Sequence, residues 1–221
     1  MLIKNYNRVK HYIKNFIRSL YSTPMHKTLE KIKILNYNIK DFEALEVFGA
    51  GGQHHTTDIY DNVKKLDIWE IDKKCEALLK RYFPLSNVVI TDSYKNIEND
   101  SKKFDLIIVD NSTLSEGDHY EHFDLFPHLF KKLKDDAILI LNIMPKLMKC
   151  SKERLFERKK FYNCENPINI TFNEIEKTYK ELALTNKFKI DNYFYTKRKR
   201  WDFLKKRDIV YYGVFFFKKR L

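Results

Sequence analysis

The sequence is short of glycine and cysteine, and each shortage narrows what the protein can be. Only 5 of its 221 residues are glycine, whereas hydrophobic residues make up 43% and aromatic residues 15%. This composition argues against a disordered chain and predicts one domain with a sizeable core. Cys75, Cys150 and Cys164 are odd in number and unevenly spaced. They fit neither a disulfide framework nor a zinc motif, and they favour a reducing compartment.

The chain also lacks a long apolar run, and its first part lacks acidic residues. No stretch reaches the ~18 apolar residues that a membrane span needs, and charges interrupt the N-terminus too often for a signal peptide. These features predict a cytoplasmic protein. No acidic residue precedes Glu30, and residues 2–21 show helical spacing with one basic face. That helix is predicted either to lie on an anionic membrane surface or to pack across the main domain.

The excess of positive charge points to anionic partners. Lysine and arginine number 42 against 30 acidic residues, which gives a net charge of +12. Nucleic acid, acidic lipid or a phosphorylated substrate would suit this charge, and a solvated basic surface would also explain it. The segment Lys197–Arg207 places Trp201 and Phe203 among cations. It is predicted either to contact single-stranded nucleic acid or to be a solvated connection between strands.

Strands and helices are predicted to alternate along most of the chain. This alternation predicts a Rossmann-like, doubly wound α/β fold with a mostly parallel sheet and a late antiparallel edge. The predicted strands are 44–48, 65–71, 88–91, 104–109, 137–143, 189–195 and 209–218. The predicted helices are 26–35, 55–64, 73–82, 94–99, 122–133, one beginning near Ser151, and one that follows a Thr171–Glu174 capping box and ends near 186. We expect a helical extension over 1–35 and a Rossmann-like domain over 36–221, with a substrate-side insertion at 146–170.

Three of the five glycines follow the first predicted strand. Gly49, Gly51 and Gly52 join this strand to a helix, as in a nucleotide-binding βαβ unit. The dinucleotide fingerprint needs a third glycine where this chain has Gln53 and His54. There is also no Gly-Lys-Ser/Thr phosphate loop. The turn therefore predicts a nucleoside ligand without a pyrophosphate.

Carboxylates coincide with the ends of the predicted strands. Glu46 lies in the first strand, Glu70 ends the second, and Asp92 and Asp110 follow the third and fourth. Ligands of open α/β sheets bind at this edge, and a carboxylate at the second strand suits a ribose diol. Asp92 is also placed to cap a helix, so a purely structural role remains open for it.

The ordered motifs resemble a known family. They are Leu45-Glu46-Val47-Phe48-Gly49-Ala50-Gly51-Gly52, Trp69-Glu70-Ile71-Asp72, Thr91-Asp92-Ser93 and Ile107-Ile108-Val109-Asp110-Asn111-Ser112. Over residues 42–145 the set resembles the class I S-adenosylmethionine-dependent methyltransferases, in particular their spermidine-synthase-like branch. The resemblance implies that Glu46 and the glycine turn bracket the methionyl part. It places Glu70 in the Glu-Ile-Asp motif, with Ile71, at the ribose, Asp92 with Ser93 at the adenine, and Asp110 beside the transferred group.

The sequence departs from that family at two points. With Glu46 as the acid of the acid-x-Gly-x-Gly-x-Gly pattern, Phe48 and Ala50 occupy two of the glycine positions. Polyamine synthases carry a second aspartate soon after the one that ends the fourth strand. Here Asn111-Ser112-Thr113 follow Asp110 instead.

The polar segment after the fourth strand contains the candidate bases. Methyl transfer to oxygen or nitrogen needs a group that removes a proton, and we predict Asp110 and His119 for this role. The reserve candidates are Asp118, His122, His54 and His55. Two alternatives remain open: Asp118 could cap a helix whose first turn holds His119 and His122, or the three could bind a metal together with His54 or His55.

The function expected from the sequence is methyl transfer. S-adenosylmethionine would donate a methyl group to an oxygen or nitrogen of a small-molecule or sugar-type acceptor. The first alternative is an aminopropyltransferase that uses decarboxylated S-adenosylmethionine and acts on a polyamine. The second is a non-catalytic Rossmann-like binding protein.

Overall fold

A computed structural model describes residues 23–52, 55–110, 115–116, 119–147, 150–198 and 209–220. Seven strands form one sheet in the order β3-β2-β1-β4-β7-β9-β8. The first five of these run parallel, and β9 is antiparallel to both β7 and β8. This arrangement confirms the predicted mostly parallel α/β fold with a late antiparallel edge.

The element bounds follow the predicted alternation. The strands are β1 Glu43–Val47, β2 Lys65–Glu70, β3 Asn87–Ile90, β4 Phe104–Val109, the short pair β5 Ser115–Glu116 and β6 His119–Tyr120, β7 Leu133–Lys146, β8 Phe188–Arg198 and β9 Ile209–Lys219. The α-helices are α1 Pro24–Ile34, α2 Thr56–Tyr60, α3 Glu76–Tyr82, α4 Ser93–Asn99, α5 Phe126–Leu129, α6 Lys152–Tyr162 and α7 Phe172–Thr185. Short 3-10 turns cover Ile39–Asp41, Lys73–Cys75 and Phe130–Lys132.

The central strands contribute to cores on both faces of the sheet. Along β4, Leu106 and Ile108 belong to one buried cluster, and Ile107 and Val109 belong to the other. This division reflects the two-residue period of a strand, whose successive side chains point to opposite faces. A nearly continuous apolar run such as β4 is therefore stable only where both faces of the sheet are covered.

Part of the predicted N-terminal extension packs on the sheet. The helix α1 begins after Thr23, whose hydroxyl accepts a hydrogen bond from the His26 amide at 3.0 Å. Its residues Met25, Leu29 and Ile32 are buried in the same cluster as Ala44 of β1. The basic segment 2–21 lies outside the described residues, and the division at residue 35 stays a prediction.

The helix predicted at 122–133 is shorter in the structure. The chain there forms only α5 and the 3-10 turn Phe130–Lys132, and β7 begins at Leu133, before the predicted start. Glu121 adopts a φ of 52°, which turns the backbone before a helix can start. Leu133 then pairs with Phe104 of β4, so tertiary pairing extends the strand at the expense of the helix.

Residues 146–170 leave the sheet at the end of β7 and return beside it. The amide of Leu147 donates to the Ile168 carbonyl at 2.9 Å, and the Ile170 amide donates to the Pro145 carbonyl at 2.8 Å. The excursion carries α6. The helix after it begins with the predicted capping box, in which Thr171 and Glu174 each bind the other's backbone amide. None of the helices in the described ranges is long and apolar enough to cross a membrane.

Candidate active site at the carboxyl ends of the strands

The turn after β1 has a regular backbone pattern. Phe48, Ala50 and Gly52 have φ angles of 67°, 46° and 66°, so every second residue adopts the left-handed conformation. These are the three glycine positions of the pattern when Glu46 is taken as its acid. Only one of these three residues is glycine. The other two, Phe48 and Ala50, adopt a left-handed backbone conformation that costs roughly 1–2 kcal/mol per residue.

Gly49 meets a steric requirement of the turn. Its amide donates to the Trp69 carbonyl at 3.1 Å, and an added Cβ would lie 2.3 Å from Cγ2 of Ile68. Gly49 therefore allows the turn to lie close against β2 and does not supply a positive φ. Gly52 has a positive φ and also a close neighbour, since a Cβ there would lie 2.3 Å from the Phe83 ring at the end of α3. Gly51, between them, is half-buried.

Glu70 fixes the turn to the end of β2. Its buried carboxylate accepts hydrogen bonds from the Ala50 amide and, at 2.8 Å, from the Asp72 amide. Ile71, the next residue, is 62% exposed. A carboxylate held by two backbone donors beside an exposed apolar side chain fits a sugar diol with an adjoining flat ring. Glu70 and Ile71, both predicted to bind the nucleoside, are thus neighbours at the end of β2, and their role stays a prediction.

The third predicted position lies at the start of α4. Asp92 caps this helix by accepting the Tyr94 amide at 3.0 Å, and Ser93 is buried. The ring of Tyr94 stacks on His119, with centroids 3.6 Å apart and planes 11° apart. Asp92 therefore has the helix-capping role that the sequence left open for it. His119 is held beside α4, with Nδ1 2.8 Å from the Asp124 carboxylate.

Asp110 is the centre of a buried group of charges. Its carboxylate accepts from the Asn142 side chain, contacts Nδ1 of His55 and lies 2.6 Å from Nη1 of Arg198. Nε2 of His55 lies 2.9 Å from Oε1 of Glu46. We call Glu46, His55, Asp110 and Arg198 the Asp110 cluster. Within the described ranges, the two predicted bases have different partners: His119 contacts Asp124 and Tyr94, and neither of these contacts Asp110.

The charges of the Asp110 cluster stabilise one another. Burial by itself lowers the pKa of His55, but Asp110 and Glu46 outweigh it and raise that pKa to about 10. Burial would raise the pKa of Asp110, yet His55 and then Arg198 hold it below its ordinary value. At neutral pH, His55 is therefore an imidazolium and Asp110 a carboxylate. In this arrangement His55 acts as a counter-charge for Asp110 and Glu46.

A second buried charge group fixes the loop after β6. Oε1 of Glu121 lies 3.0 Å from Nη2 of Arg154 and 2.7 Å from Nη1 of Arg158. Arg158 also donates to the carbonyls of Met144 and Pro167 at 2.7 and 2.9 Å. We call Glu121, Arg154 and Arg158 the Glu121 cluster. It ties α6 to the loop and to the end of β7.

The reserve candidate His122 lies in the core. Its Nε2 is 2.6 Å from the hydroxyl of Tyr179, and aromatic rings surround it. Burial lowers its pKa to about 4, so it is neutral at physiological pH. His119 and His122 therefore face different neighbours. Among the described residues, no group of three or more His, Cys, Asp or Glu side chains is close enough to hold a metal.

Several predicted positions lie outside the described residues. These are His54, Asp118, most of Lys197–Arg207 and the whole of 2–21. Arg198, which belongs to the predicted basic loop, points inward to Asp110. Sequence reasoning missed Arg198 and the Glu121 cluster. The spacing of Arg154 and Arg158, which places both on one face of a helix, was the only available signal for the latter.

Comparison with solved structures supports a Rossmann-like methyltransferase fold. A SAM-dependent methyltransferase from Methanosarcina mazei is 16% identical, with a TM-score of 0.54, covering 85% of this chain and 97% of that one. A TehB-like SAM-dependent methyltransferase from Corynebacterium glutamicum is 13% identical, with a TM-score of 0.53 and complete coverage of both chains. At these identities the likeness concerns the fold alone.

Sequence comparison narrows the class to one family. The model of the spermine/spermidine synthase domain matches residues 48–159, just over half of the chain. The chain belongs to this family. The part of the prediction that named a spermidine-synthase-like branch is confirmed.

Curated relatives carry one shared name. The polyamine aminopropyltransferase of Clostridium beijerinckii is 31% identical over 115 residues, which is 48% of this chain and 40% of that protein. The enzyme of the same name from Clostridium botulinum strain Eklund 17B is 28% identical over 152 residues, or 60% and 53%. Polyamine aminopropyltransferase 1 of Aquifex aeolicus is 32% identical over 105 residues, or 42% and 36%. The chain thus spans about half the length, or less, of these relatives.

These findings correct the main functional prediction. Methyl transfer to an oxygen or nitrogen is wrong as the leading interpretation, because the family model and the named relatives indicate aminopropyl transfer. S-adenosylmethionine as the methyl donor is wrong for the same reason. The names of these relatives agree with the prediction of a transferase and with aminopropyl transfer, the first alternative that the sequence left open.

Proposed function

We propose that the protein is an aminopropyltransferase that takes its aminopropyl group from decarboxylated S-adenosylmethionine. The reaction breaks the bond between the sulfonium sulfur and the aminopropyl carbon and forms a bond from that carbon to an acceptor amine. The thioether 5′-methylthioadenosine leaves, and the alkylated amine releases a proton. Catalysis of this kind depends mainly on holding the two reactants in line.

The observation that carries the proposal is the position of Glu70 within the matched segment. Its carboxylate is fixed by the Ala50 and Asp72 amides at the end of β2, beside the exposed Ile71. This geometry supports a role for Glu70 at the ribose and for Ile71 against the adenine. Asp92 and Ser93 begin the neighbouring helix, which supports a role for them at the adenine edge. Glu46, Gly49, Gly51 and Gly52 border the place where the aminopropyl chain would lie.

Asp110 is proposed as a residue of the reaction centre, and His119 as a residue beside the nucleoside. The ion pairs of Asp110 keep its carboxylate ionised and fixed in orientation. His119 stacks on Tyr94, and Tyr94 follows Asp92 and Ser93 directly in the chain. This position supports a contact with the nucleoside better than proton removal at Asp110.

Calorimetric titration with 5′-methylthioadenosine tests the nucleoside site without the acceptor. We expect Glu70→Gln to weaken binding by about 10–100-fold, because one charge-assisted contact is lost. Glu76→Gln, in the next helix, is the matched control and should bind normally. The same titration with decarboxylated S-adenosylmethionine, followed by detection of the thioether product with an amine present, tests the transfer. A folded protein that binds neither nucleoside, or equal affinity in Glu70→Gln, would contradict the proposal.

A further inference from the structure

His119 forms the exposed end of a short stack of aromatic rings. Its ring lies on that of Tyr94, with centroids 3.6 Å and planes 11° apart, and the Tyr94 ring lies 6.0 Å from that of Phe48. Nδ1 of His119 is held 2.8 Å from the Asp124 carboxylate. The side chain of His119 is nevertheless 38% exposed. Since Tyr94 covers one face of the imidazole, this exposure belongs to the other face and to the edges of the ring.

Two contacts join Tyr94 to the chain around His119. Its ring packs against the imidazole, and its hydroxyl donates to the Glu121 carbonyl at 3.3 Å. Its backbone amide donates to the Asp92 carboxylate at 3.0 Å, at the start of α4. The ion pairs of the Glu121 cluster fix the same loop from the side of α6. The orientation of the imidazole is therefore set by the protein, so a ligand that covers it has little further ordering to impose.

The ring stack borders the same turn as the residues predicted to bind the nucleoside. The turn after β1 contacts the stack through Phe48 and contacts Glu70 through a backbone amide. In the sheet, β1 lies between β2 and β4. Ile71 follows β2 and His119 belongs to the segment that follows β4, so they come to the turn from the strands on either side of it. A ligand at the carboxyl end of β1 would thus have an exposed apolar side chain and an exposed ring as its neighbours.

We infer that the open face of His119 binds the adenine of the nucleoside by stacking, and that Tyr94 and Asp124 are positioning residues that hold the imidazole for it. This inference rests on the proposed function. The adenine would continue the stack that Tyr94 begins, with Ile71 available for its opposite face. Bases stack well on the rings of aromatic residues and histidine because every base has a flat π-face. In this role His119 binds the substrate and removes no proton.

Calorimetric titration with 5′-methylthioadenosine tests the stacking role. His119→Ala removes the ring and should weaken binding by about tenfold or more. His119→Phe keeps a flat ring and should bind with close to the wild-type affinity. His128→Ala is the matched control, because it removes a histidine whose side chain is 34% exposed from another helix. This control should bind like the wild type.

The positioning roles are tested by removing each support of the imidazole. Tyr94→Leu removes the supporting ring and Asp124→Ala removes the hydrogen-bond partner, so both should weaken binding of the nucleoside. Tyr94→Phe keeps the ring and Asp124→Asn keeps an acceptor, and these matched variants should bind more tightly than the first two. Titration with 5-methylthioribose, which has the sugar and the thioether but no base, gives a second readout. It should not distinguish any of these variants from the wild type, because it lacks the group that stacks.

The outcomes separate the inference from the proposed function. Unchanged nucleoside affinity in His119→Ala, or equal weakening of both ligands, would overturn the stacking role and leave the aminopropyltransferase intact. Equal affinities of the support variants and their matched variants would overturn the positioning roles. Failure of the wild-type protein to bind the nucleoside and to transfer an aminopropyl group would overturn the proposed function and the inference with it.

Discussion

The Asp110 cluster and the Glu121 cluster both lie near the carboxyl ends of the parallel strands, but their charge balance differs. The first holds two carboxylates against two cations, and the second holds one carboxylate against two guanidinium groups. In the Glu121 cluster, backbone carbonyls of Met144 and Pro167 complete the coordination of Arg158. Their dipoles help to support the excess charge, whereas the Asp110 cluster depends on ion pairing.

The difference in charge balance goes with a difference in what each cluster joins. The Glu121 cluster joins a loop, a helix and a strand end, and its cations have partners on several elements. The Asp110 cluster joins β1, the start of α2, the end of β4 and the end of β8 through ion pairs between side chains. We therefore expect the two clusters to respond differently when one member is neutralised.

The largest effect is expected when the Glu121 cluster loses its only anion. Glu121→Gln would leave Arg154 and Arg158 buried without a counter-charge, which should lower the free energy of unfolding by about 3–5 kcal/mol. Urea denaturation of the wild type and the variant measures this loss. The control is Glu153→Gln, because Glu153 is exposed and lies in α6, the helix that carries Arg154 and Arg158. This variant should unfold like the wild type. A Glu121→Gln protein as stable as this control would contradict the role assigned to the cluster.

An intermediate effect is expected when the Asp110 cluster loses one of two cations. His55→Gln should lower the free energy of unfolding by about 2–4 kcal/mol at neutral pH, because Glu46 would lose its ion pair and Asp110 would keep Arg198 alone. His128→Gln, whose ring is about one-third exposed, serves as the control. Equal stabilities of the two variants would show that the imidazolium does not support the cluster.

The pH dependence of stability sharpens this test. The pKa of His55 is raised from 6.5 to about 10 on folding. Its contribution to the free energy of unfolding is therefore complete below pH 6.5 and disappears as pH rises through 10. The pKa of His122 is lowered to about 4, so its contribution is complete above pH 6.5 and disappears as pH falls through 4. His55→Gln should flatten the alkaline side of the profile and His122→Gln the acid side. Unchanged slopes in both variants would contradict these assignments.

The smallest effect is expected when the Glu121 cluster loses its surplus cation. Arg154→Met leaves the pair Glu121–Arg158 neutral and keeps most of the side-chain packing, so the loss of stability should be about 1 kcal/mol or less. Arg158→Met in the same helix should cost more, since Arg158 is fully buried and also binds two carbonyls. If Arg154→Met were as damaging as His55→Gln, charge balance would not distinguish the clusters.

The sequence was sufficient for the features that depend on local patterns. The apolar run of β4, the Thr171–Glu174 capping box and the position of Glu70 at a strand end all follow from spacing within a few residues. The site partners could not be obtained in this way. Arg198 reaches Asp110 only because β9 lies between β7 and β8, a neighbour relation that no local pattern encodes.

The turn after β1 shows a subtler limit. The three glycines drew attention to this turn, but two of its three residues with positive φ are Phe48 and Ala50, and Gly49 is not among them. The backbone there is set by the hydrogen bonds of Glu70 and Trp69 from β2. Tertiary contacts therefore override the local preference of Phe48 and Ala50, at a cost that composition alone does not reveal.

The placement of β9 also governs the order in which the protein can assemble during synthesis. Strands β1 to β7 precede β8 in the chain, yet β8 joins the sheet only through β9, which is translated last among the described strands. Until Ile209–Lys219 leaves the ribosome, β7 presents an unpaired edge, and Arg198 has no strand to hold it near Asp110. The turn after β1 and Glu70 can therefore take up their positions before β9 is made, whereas the contact between Arg198 and Asp110 forms only after it.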